Sequence, residues 1–135
     1  MAKQTYNDSP YQSFPANVPA DLVGKEGYAV ELVPGTNNIQ LYTATAGRPL
    51  LGFLFERLEG DTNWNVRIAG KGGTVRCVAG DGSIGQAPAY VKAQAGGTMI
   101  AAASGNLAHG IKISPAVADA AGDVMEIQDV FITVP

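Results

Sequence analysis

Glycine divides this chain into many short segments. There are 17 glycines among 135 residues, whereas average usage is about 7%. The segments between them are rich in Val, Ile, Tyr and Phe, which suit the half-buried surface of a sheet. No long uninterrupted stretch of good helix formers is present. The sequence therefore predicts a mainly β protein with frequent turns and no long helix.

Candidate strands follow one another at short spacing from Tyr28 to the C-terminus. Strands of this length, separated by glycine- and proline-containing turns, are typical of a small β-barrel or a β-sandwich. No internal repeat of about 20 to 50 residues is visible, which excludes solenoids and propellers. The candidate strands are residues 28–33, 39–43, 50–55, 64–68, 74–78, 89–94, 98–103, 109–113 and 124–134.

The alternation of apolar and polar residues predicts which side chains are buried. Residues 50–55 are apolar at successive positions, as in a strand covered on both faces. In residues 64–68 the alternation points Trp64, Val66 and Ile68 inward, and Asn65 and Arg67 outward. The predicted core includes Leu54, Val66, Ile68, Val75 and Ile113.

One short helix is predicted near residues 114–122. Ser114 is a suitable cap, Pro115 suits the first helical position, and Gly122 suits the residue after a helix end. The residues between them allow one or two turns at most.

Residues 1–27 differ in composition from residues 28–135. Prolines recur here and the aromatic residues follow no strand or helix period. Because proline lacks a backbone donor and favours an extended predecessor, we expect an extended N-terminal arm ahead of a β domain at 28–135. A disordered tail is the alternative, although such tails have few aromatic residues. As a docking arm, its contact residues would be Tyr6, Pro10, Tyr11, Phe14, Pro15 and Val18.

Charge and hydropathy argue against several classes of partner. The net charge is −3 and the nine Lys and Arg residues are scattered, so nucleic acid is not an expected partner. No apolar segment approaches the roughly 18 residues of a membrane span, and the first residues lack the apolar region of a secretory signal. The single cysteine, Cys77, forbids an internal disulfide and fits synthesis in a reducing cytoplasm.

Residues 80–85, GDGSIG, match the pattern G-x-G-x-x-G. In dinucleotide-binding folds this pattern leads from a strand into a helix, and an acidic residue about 20 positions later binds the ribose. Here Pro88 would obstruct the helix and no acid follows at that spacing. Ser83 also fails as a nucleophile elbow, because Asp81 stands where that motif needs glycine. We predict a glycine-rich turn and no cofactor.

A nucleophilic pair would have to combine Cys77 with His109, the single thiol and the single imidazole. Cys77 lies in mid-strand on the face opposite to Arg76 and Val78, where a buried structural cysteine is common. One His and one Cys do not make a metal site. We therefore expect a protein that is not an enzyme and holds no metal.

The acidic residues fall into two groups that we interpret as solvated surface. A carboxylate pair of the glycosidase type was the alternative for the first group, which lies in a polar hairpin loop. The first group is Glu56, Glu59 and Asp61, and the second is Asp119, Asp123, Glu126 and Asp129.

Two patterns in the second half of the chain carry a family resemblance. One is Val75-Arg76-Cys77-Val78-Ala79-Gly80 followed by Ile84, Gly85 and Val91, and the other is DAAGDVMEI at residues 119–127. They resemble the V-x-V-x-A-G-x-x-I-x-x-G-x-x-V rhythm and the closing D-A-A-x-G-x-x-V-E-V run of the small capsid decoration, or cement, proteins of tailed bacteriophages. The resemblance extends over residues 66–127 and has no counterpart in residues 1–60.

The resemblance implies a β-barrel-like body that sits as a homotrimer on the outer capsid surface, near local threefold axes. It implies a non-enzymatic role in the virion, in which the protein clamps neighbouring capsomers after head expansion. The expected partners are the major capsid protein and further copies of this chain. The apolar run at residues 130–134 is in keeping with a surface that is covered in such a trimer.

Two alternative functions stay open from the sequence. One is another structural part of a virion, such as a head fibre or a tail component. The other is a carbohydrate-binding β module, whose site would be exposed aromatic side chains such as Tyr42, Trp64 and Tyr90.

Overall fold

A computed structural model describes residues 9–57 and 63–135, and these ranges are built from β-strands. The helical structure within them is one 3₁₀ turn, Pro19–Leu22. The prediction of a mainly β protein is confirmed. The strands are β1 (Tyr11–Pro15), β2 (Ala29–Leu32), β3 (Ile39–Leu41), β4 (Gly52–Arg57), β5 (Asn63–Ile68), β6 (Thr74–Val78), β7 (Ala89–Ala93), β8 (Met99–Ala101), β9 (Leu107–Ala108), β10 (Gly110–Ser114), β11 (Val124–Gln128) and β12 (Ile132–Thr133).

The strands form two five-stranded antiparallel sheets in a sandwich-like arrangement. The first sheet has the order β1-β5-β4-β2-β3, and the second has the order β6-β11-β10-β7-β8. A small third sheet pairs β12 with β9 and so attaches the C-terminal segment to the body.

The two sheets have the same topology. If β6, β7, β8, β10 and β11 are matched in chain order to β1 through β5, both sheets follow one strand order. In each, the first and third strands are also joined by a single parallel bridge, Ala16 to Ile39 in the first sheet and Ala79 to Met99 in the second. We call residues 11–68 the first unit and residues 74–128 the second unit.

The strand registers agree as closely as the strand orders. Phe14 pairs with Trp64 in the first unit as Cys77 pairs with Met125 in the second. Each unit also has a register shift at the same place in its fourth strand, after Leu54 and after Lys112. The chain therefore contains a structural repeat longer than the periods that the sequence was searched for.

Each unit has its own hydrophobic core. Leu22 and Ile84 hold corresponding positions between the first and second strands of their units, and both are buried. The first core comprises Phe14, Leu22, Val30, Ile39, Leu54, Trp64 and Val66. The second comprises Val75, Cys77, Ala79, Ile84, Val91, Ala93, Met99, Met125 and Ile127, and it also takes in Ala29 and Phe53 from the first sheet.

The outer face of the first sheet packs against the second unit. Leu54 points into the first core while its neighbour Phe53 packs with the second, so β4 is covered on both faces at this point, as predicted. The amide of Ala29 donates to the carbonyl oxygen of Gly97 at 2.7 Å. A Cβ on Gly27 would lie 3.3 Å from Val78, which shows how closely the two backbones approach.

Most of the strand predictions are confirmed. Residues 124–134 form two strands instead of one, and β1 and β9 were missed. Among predicted core residues, Leu54, Val66 and Val75 are buried and Ile68 is half-buried. The prediction that Ile113 is in the core is wrong, since Ile113 is 45% exposed and Lys112 points inward instead.

The helix predicted near residues 114–122 is also wrong, because these residues have no helical structure. Two of their backbone groups pair with residues 84–87 instead of forming helical bonds. Asp119 donates its amide proton to the carbonyl of Ile84, and the carbonyl of Ala116 accepts from the amide of Ala87. So short a helix is marginal on its own, and these tertiary bonds replace it.

Candidate functional site

The arm predicted from composition begins in the described residues as strand β1. It is extended, as expected, but it belongs to the first sheet and pairs with β5 along its length. The expectation of an unpacked segment is wrong for Phe14 and Leu22, which are 8% and 1% exposed. The domain boundary near residue 27 stays a prediction.

Proline is compatible with β1 because this strand lies at the edge of its sheet. Pro10 accepts a hydrogen bond from Ile68, so in an antiparallel pair residues 12 and 14 also face β5. The backbone groups of Tyr11, Ser13 and Pro15 then face away from β5. The missing donor of Pro15 is on the side away from β5, where it costs no bond between β1 and β5.

A cleft of about 480 Å³ lies between the two units. Its first wall belongs to the first unit and carries Tyr11 and Phe55, whose ring centroids are 4.8 Å apart. Tyr11 is 37% exposed and Phe55 is 47% exposed. Two large aromatic side chains are thus held together at the surface, next to the free edge of β1.

The opposite wall of this cleft is the outer face of β6 and β11. The apolar part is the cross-strand pair Val78 and Val124, and the charged part is the cross-strand pair Arg76 and Glu126. Val124 is 60% exposed. The cleft therefore combines apolar side chains from both units with two acidic residues, Glu26 and Glu126, and two basic residues, Arg67 and Arg76.

The structure brings the predicted docking residues only partly together. Tyr11 lines the cleft, Phe14 is in the core, and Val18 is 46% exposed beside the 3₁₀ turn. Pro10 and Pro15 are half-buried. Tyr6 lies outside the described residues. Sequence reasoning missed Phe55 and Val124. The signal that could have found them is that both are apolar residues at outward positions of their strands, β4 and β11.

Arg67 was predicted to point outward, and this is wrong. It is 7% exposed, and its Nη1 lies 3.2 Å from Oδ2 of Asp129. The Asp129 carboxylate also accepts from the amides of Gly70 and Lys71. The ion pair and these two hydrogen bonds hold residues 69–73, the linker between the units, at the end of the second unit.

The acidic residues near the C-terminus are therefore not all solvated surface. Asp129 is 5% exposed and Asp119 is 4% exposed, which corrects the prediction for both. Asp119 forms a fully buried ion pair with Lys112, whose ammonium also donates to the carbonyl of Gly85 at 2.9 Å. Asp123 is exposed. Both buried acids are paired with cations inside the fold.

Glu31 is a third buried carboxylate that is held by partners inside the fold. Its Oε1 accepts from the amide and the hydroxyl of Thr43, at 2.6 and 2.8 Å. Burial would raise its pKa, but the hydrogen bonds of Thr43 and Gln40 and the charge of Arg48 together lower it below the ordinary value. Glu31 is held as a structural anion.

The first acidic group lies largely beyond the described residues. Glu56 is exposed on β4, while Glu59 and Asp61 fall in residues 58–62. Glu56 is thus the member of this group whose solvated position the structure shows.

Cys77 and His109 both serve packing. Cys77 is fully buried in the second core, where burial first and the charge of Asp119 second raise its pKa far above the ordinary value. His109 lies edge-on to Tyr42 and to Phe131, with ring centroids 5.9 and 5.8 Å away. Its Nδ1 accepts from the amide of Ala93 at 2.9 Å, so that nitrogen is occupied by the fold.

The glycine-rich stretch at residues 80–85 is a turn, as predicted. The carboxylate of Asp81 accepts from the amide of Ser83 at 2.9 Å. The hydroxyl of Ser83 accepts from the amide of Ala101, which ties the turn to β8. Strand β7 follows this turn in place of the helix that a dinucleotide site requires.

The aromatic residues considered for carbohydrate binding do not form one exposed platform. Trp64 is 1% exposed in the first core, so its assignment as an exposed residue is wrong. Tyr42 is half-buried against His109, and Tyr90 is half-buried on β7.

No protein-family model matches this chain, and no curated protein matches its sequence. Within residues 9–57 and 63–135, no helix is long and apolar enough to cross a bilayer. The same ranges contain no group of three or more His, Cys, Asp or Glu side chains placed to hold a metal ion.

Proposed function

We propose that this protein is a non-enzymatic capsid decoration protein that binds the outer surface of an assembled phage head. The observation that carries the proposal is the cleft between the units, where Tyr11 and Phe55 are exposed beside the free edge of β1. The family resemblance supplies the identity of the partner, the major capsid protein. The free edge of β1 and the aromatic pair supply a means of binding it.

The cleft suits a protein surface for two physical reasons. Aromatic side chains bury a large area when a partner covers them, and they are enriched at the centres of interfaces. An edge strand also offers unpaired backbone groups to an extended segment of the partner. Tyr11 contributes its side chain to the cleft, while its amide already donates to the hydroxyl of Ser9 at 3.2 Å, so the edge is offered by the residues of β1 that follow it.

The use of buried ionisable groups also favours a binding role. Asp119, Asp129 and Glu31 are each held by hydrogen bonds or ion pairs within the fold. Cys77 and His109 are packed in the same way. These groups stabilise the structure, whereas Tyr11 and Phe55 are exposed in the cleft and open to a partner.

A ligand that binds only the expanded head stabilises that state by mass action. Clamping of neighbouring capsomers therefore requires contacts with the expanded lattice that the unexpanded lattice does not offer. The docking arm predicted from the sequence would add to these contacts through the members that are exposed in the described residues, Tyr11 and Val18.

The test is binding to purified empty heads of the phage that encodes the protein. We expect the protein to co-sediment with expanded heads and not with unexpanded proheads. The double variant Tyr11→Ala, Phe55→Ala should reduce occupancy at least tenfold, because it removes both exposed rings. The matched control is Val117→Ala, which trims an apolar side chain that is 63% exposed outside the cleft.

The truncation that tests the arm should stop before β1. Deletion of residues 2–8 leaves β1 and the core residue Phe14 intact, whereas deletion to residue 20 would remove a strand of the first sheet. Thermal melting confirms that each variant folds. Unchanged occupancy for both the truncated protein and the double variant would overturn the proposed docking site.

A further inference from the structure

The two units of one chain contact each other through different faces. The first unit contributes β2 and β4, with Ala29 and Phe53 packing into the second core. The second unit contributes β6 and the turn after β7, where Gly97 accepts from Ala29. Such a contact is heterologous, because the two units use different faces. Each unit therefore has a second face that is not used in this interface, although the corresponding face of the other unit is.

The unused face of the second unit is identified by the shared register. Ala29 pairs with Phe53 in the first unit as Tyr90 pairs with Ile111 in the second. Ile113 follows Lys112 in the register shift as Phe55 follows Leu54. We call Tyr90, Ile111 and Ile113 the β10 face.

The β10 face is apolar and open. Tyr90 and Ile111 are half-buried, and Ile113 is 45% exposed, close to the 47% of its counterpart Phe55. A row of a tyrosine and two isoleucines on one outer sheet face is the kind of patch that marks an interaction surface.

The unused face of the first unit is identified in the same way. Ser13 and Pro15 on β1 correspond to Arg76 and Val78 on β6, because Phe14 corresponds to Cys77. The turn at residues 33–38 corresponds to the turn that carries Gly97. In both turns the first residue donates its amide proton to the carbonyl of the last, Val33 to Asn38 and Gln94 to Thr98. We call Ser13, Pro15 and Asn37 the β1 face.

We propose that copies of this chain associate head to tail, with the β10 face of one copy packed against the β1 face of the next. The contact would repeat between chains the arrangement that already joins the two units within a chain. The six residues that define the two faces are uncharged. A heterologous contact that closes gives a ring. The homotrimer that the family resemblance implies would be such a ring, with six units round it.

Sedimentation velocity over a concentration series tests this proposal on the full chain. We expect a monomer–trimer equilibrium without a stable dimer. Ile111→Asp should move its midpoint at least tenfold higher in concentration, because its counterpart Phe53 is buried between the units and a charge would therefore enter the contact. Val117→Asp is the matched control, since it adds the same charge at an exposed position outside both faces. A wild-type protein that stays monomeric, or a trimer that Ile111→Asp leaves intact, would overturn the proposal.

Disulfide trapping tests the geometry. Within the chain Ala29 contacts Gly97, so the corresponding residues, Tyr90 and Asn37 of neighbouring copies, should meet. The variant Tyr90→Cys, Asn37→Cys should form covalent trimers under mild oxidation, since the native Cys77 is fully buried. The control variant combines Tyr90→Cys with Ala46→Cys, at an exposed loop position, and should not form covalent trimers. Equal cross-linking of both pairs would contradict the head-to-tail contact.

This inference goes beyond the proposed function, because it names a contact between copies that needs no capsid. Head binding by an Ile111→Asp variant that does not trimerise would leave the capsid proposal standing. A trimer that binds no heads would leave the head-to-tail contact standing and remove the capsid proposal.

Discussion

Gly52 and Gly110 hold the same position in the two units. Each begins the fourth strand of its unit, where Gly52 pairs with Val30 and Gly110 pairs with Val91. A Cβ on Gly52 would lie 2.1 Å from the carbonyl oxygen of Arg67. A Cβ on Gly110 would lie 2.6 Å from Cδ1 of Ile127 and 2.9 Å from the carbonyl oxygen of Gln128. Close backbone approach at this point is therefore a shared requirement of both units.

Alanine at either glycine should destabilise the protein. We expect Gly52→Ala to cost more than Gly110→Ala, because it meets a backbone atom at the shorter distance, and each to cost about 1–3 kcal/mol or more. Urea denaturation measures the change in the free energy of unfolding. Gly82→Ala is the control, since its Cβ meets nothing within 4 Å. Equal stability of all three variants would contradict the close approach.

Lys112 occupies the place in the second unit that Leu54 occupies in the first. Lys112→Leu should destabilise by about 3–5 kcal/mol, because it leaves the buried carboxylate of Asp119 without its cation. The double variant Lys112→Leu, Asp119→Ala removes both charges and should recover much of that loss. The measurement is again the free energy of unfolding. A double variant that is less stable than Lys112→Leu would show that the ion pair is not the cause.

Arg67 and Asp129 connect the linker to the second unit. Asp129→Ala removes the partner of a buried guanidinium and the acceptor for two amides, so we expect a loss of about 3–5 kcal/mol. The exposed Asp21→Ala is the control. In a double-mutant cycle, Arg67→Leu and Asp129→Ala should be strongly non-additive. Additive losses would mean that the two side chains do not act together.

His109 predicts a pH dependence near neutrality. Burial first and the charge of Lys92 second lower its pKa below the ordinary 6.5. The unfolded chain then takes up a proton before the folded chain does, so the contribution of His109 is complete above about pH 6.5 and is lost as the pH falls below it. His109→Asn, which keeps an acceptor for the amide of Ala93, should weaken this dependence. Identical pH profiles for the two proteins between pH 7.5 and 5.5, as measured by thermal melting, would contradict it.

The fold class followed from the sequence because glycine-bounded apolar runs are local signals. Period-2 alternation located β5 and β6 correctly, and the mid-strand position of Cys77 predicted its burial. The sequence failed where a charged side chain has a distant partner. Arg67 and Lys112 point inward because Asp129 and Asp119 neutralise them, and the pattern of polar residues carries no trace of that pairing.

The structural repeat was hidden for a related reason. Matched positions keep their place in the register but not their chemistry, as Leu54 and Lys112 or Phe14 and Cys77 illustrate. The cleft shares this difficulty, since Tyr11 and Phe55 come from separate strands that only the folded sheet brings together. Glycines at matched positions, such as Gly52 and Gly110, are the trace of the repeat that remains in the sequence.

Electron cryomicroscopy of expanded heads saturated with the protein tests the capsid account most directly. The account predicts added density on the outer surface at local threefold positions, with the cleft between the units and the arm turned toward the capsid protein. Tyr11 and Phe55 should lie within contact distance of that protein. Heads without added outer density, or bound copies whose cleft faces solvent, would contradict it.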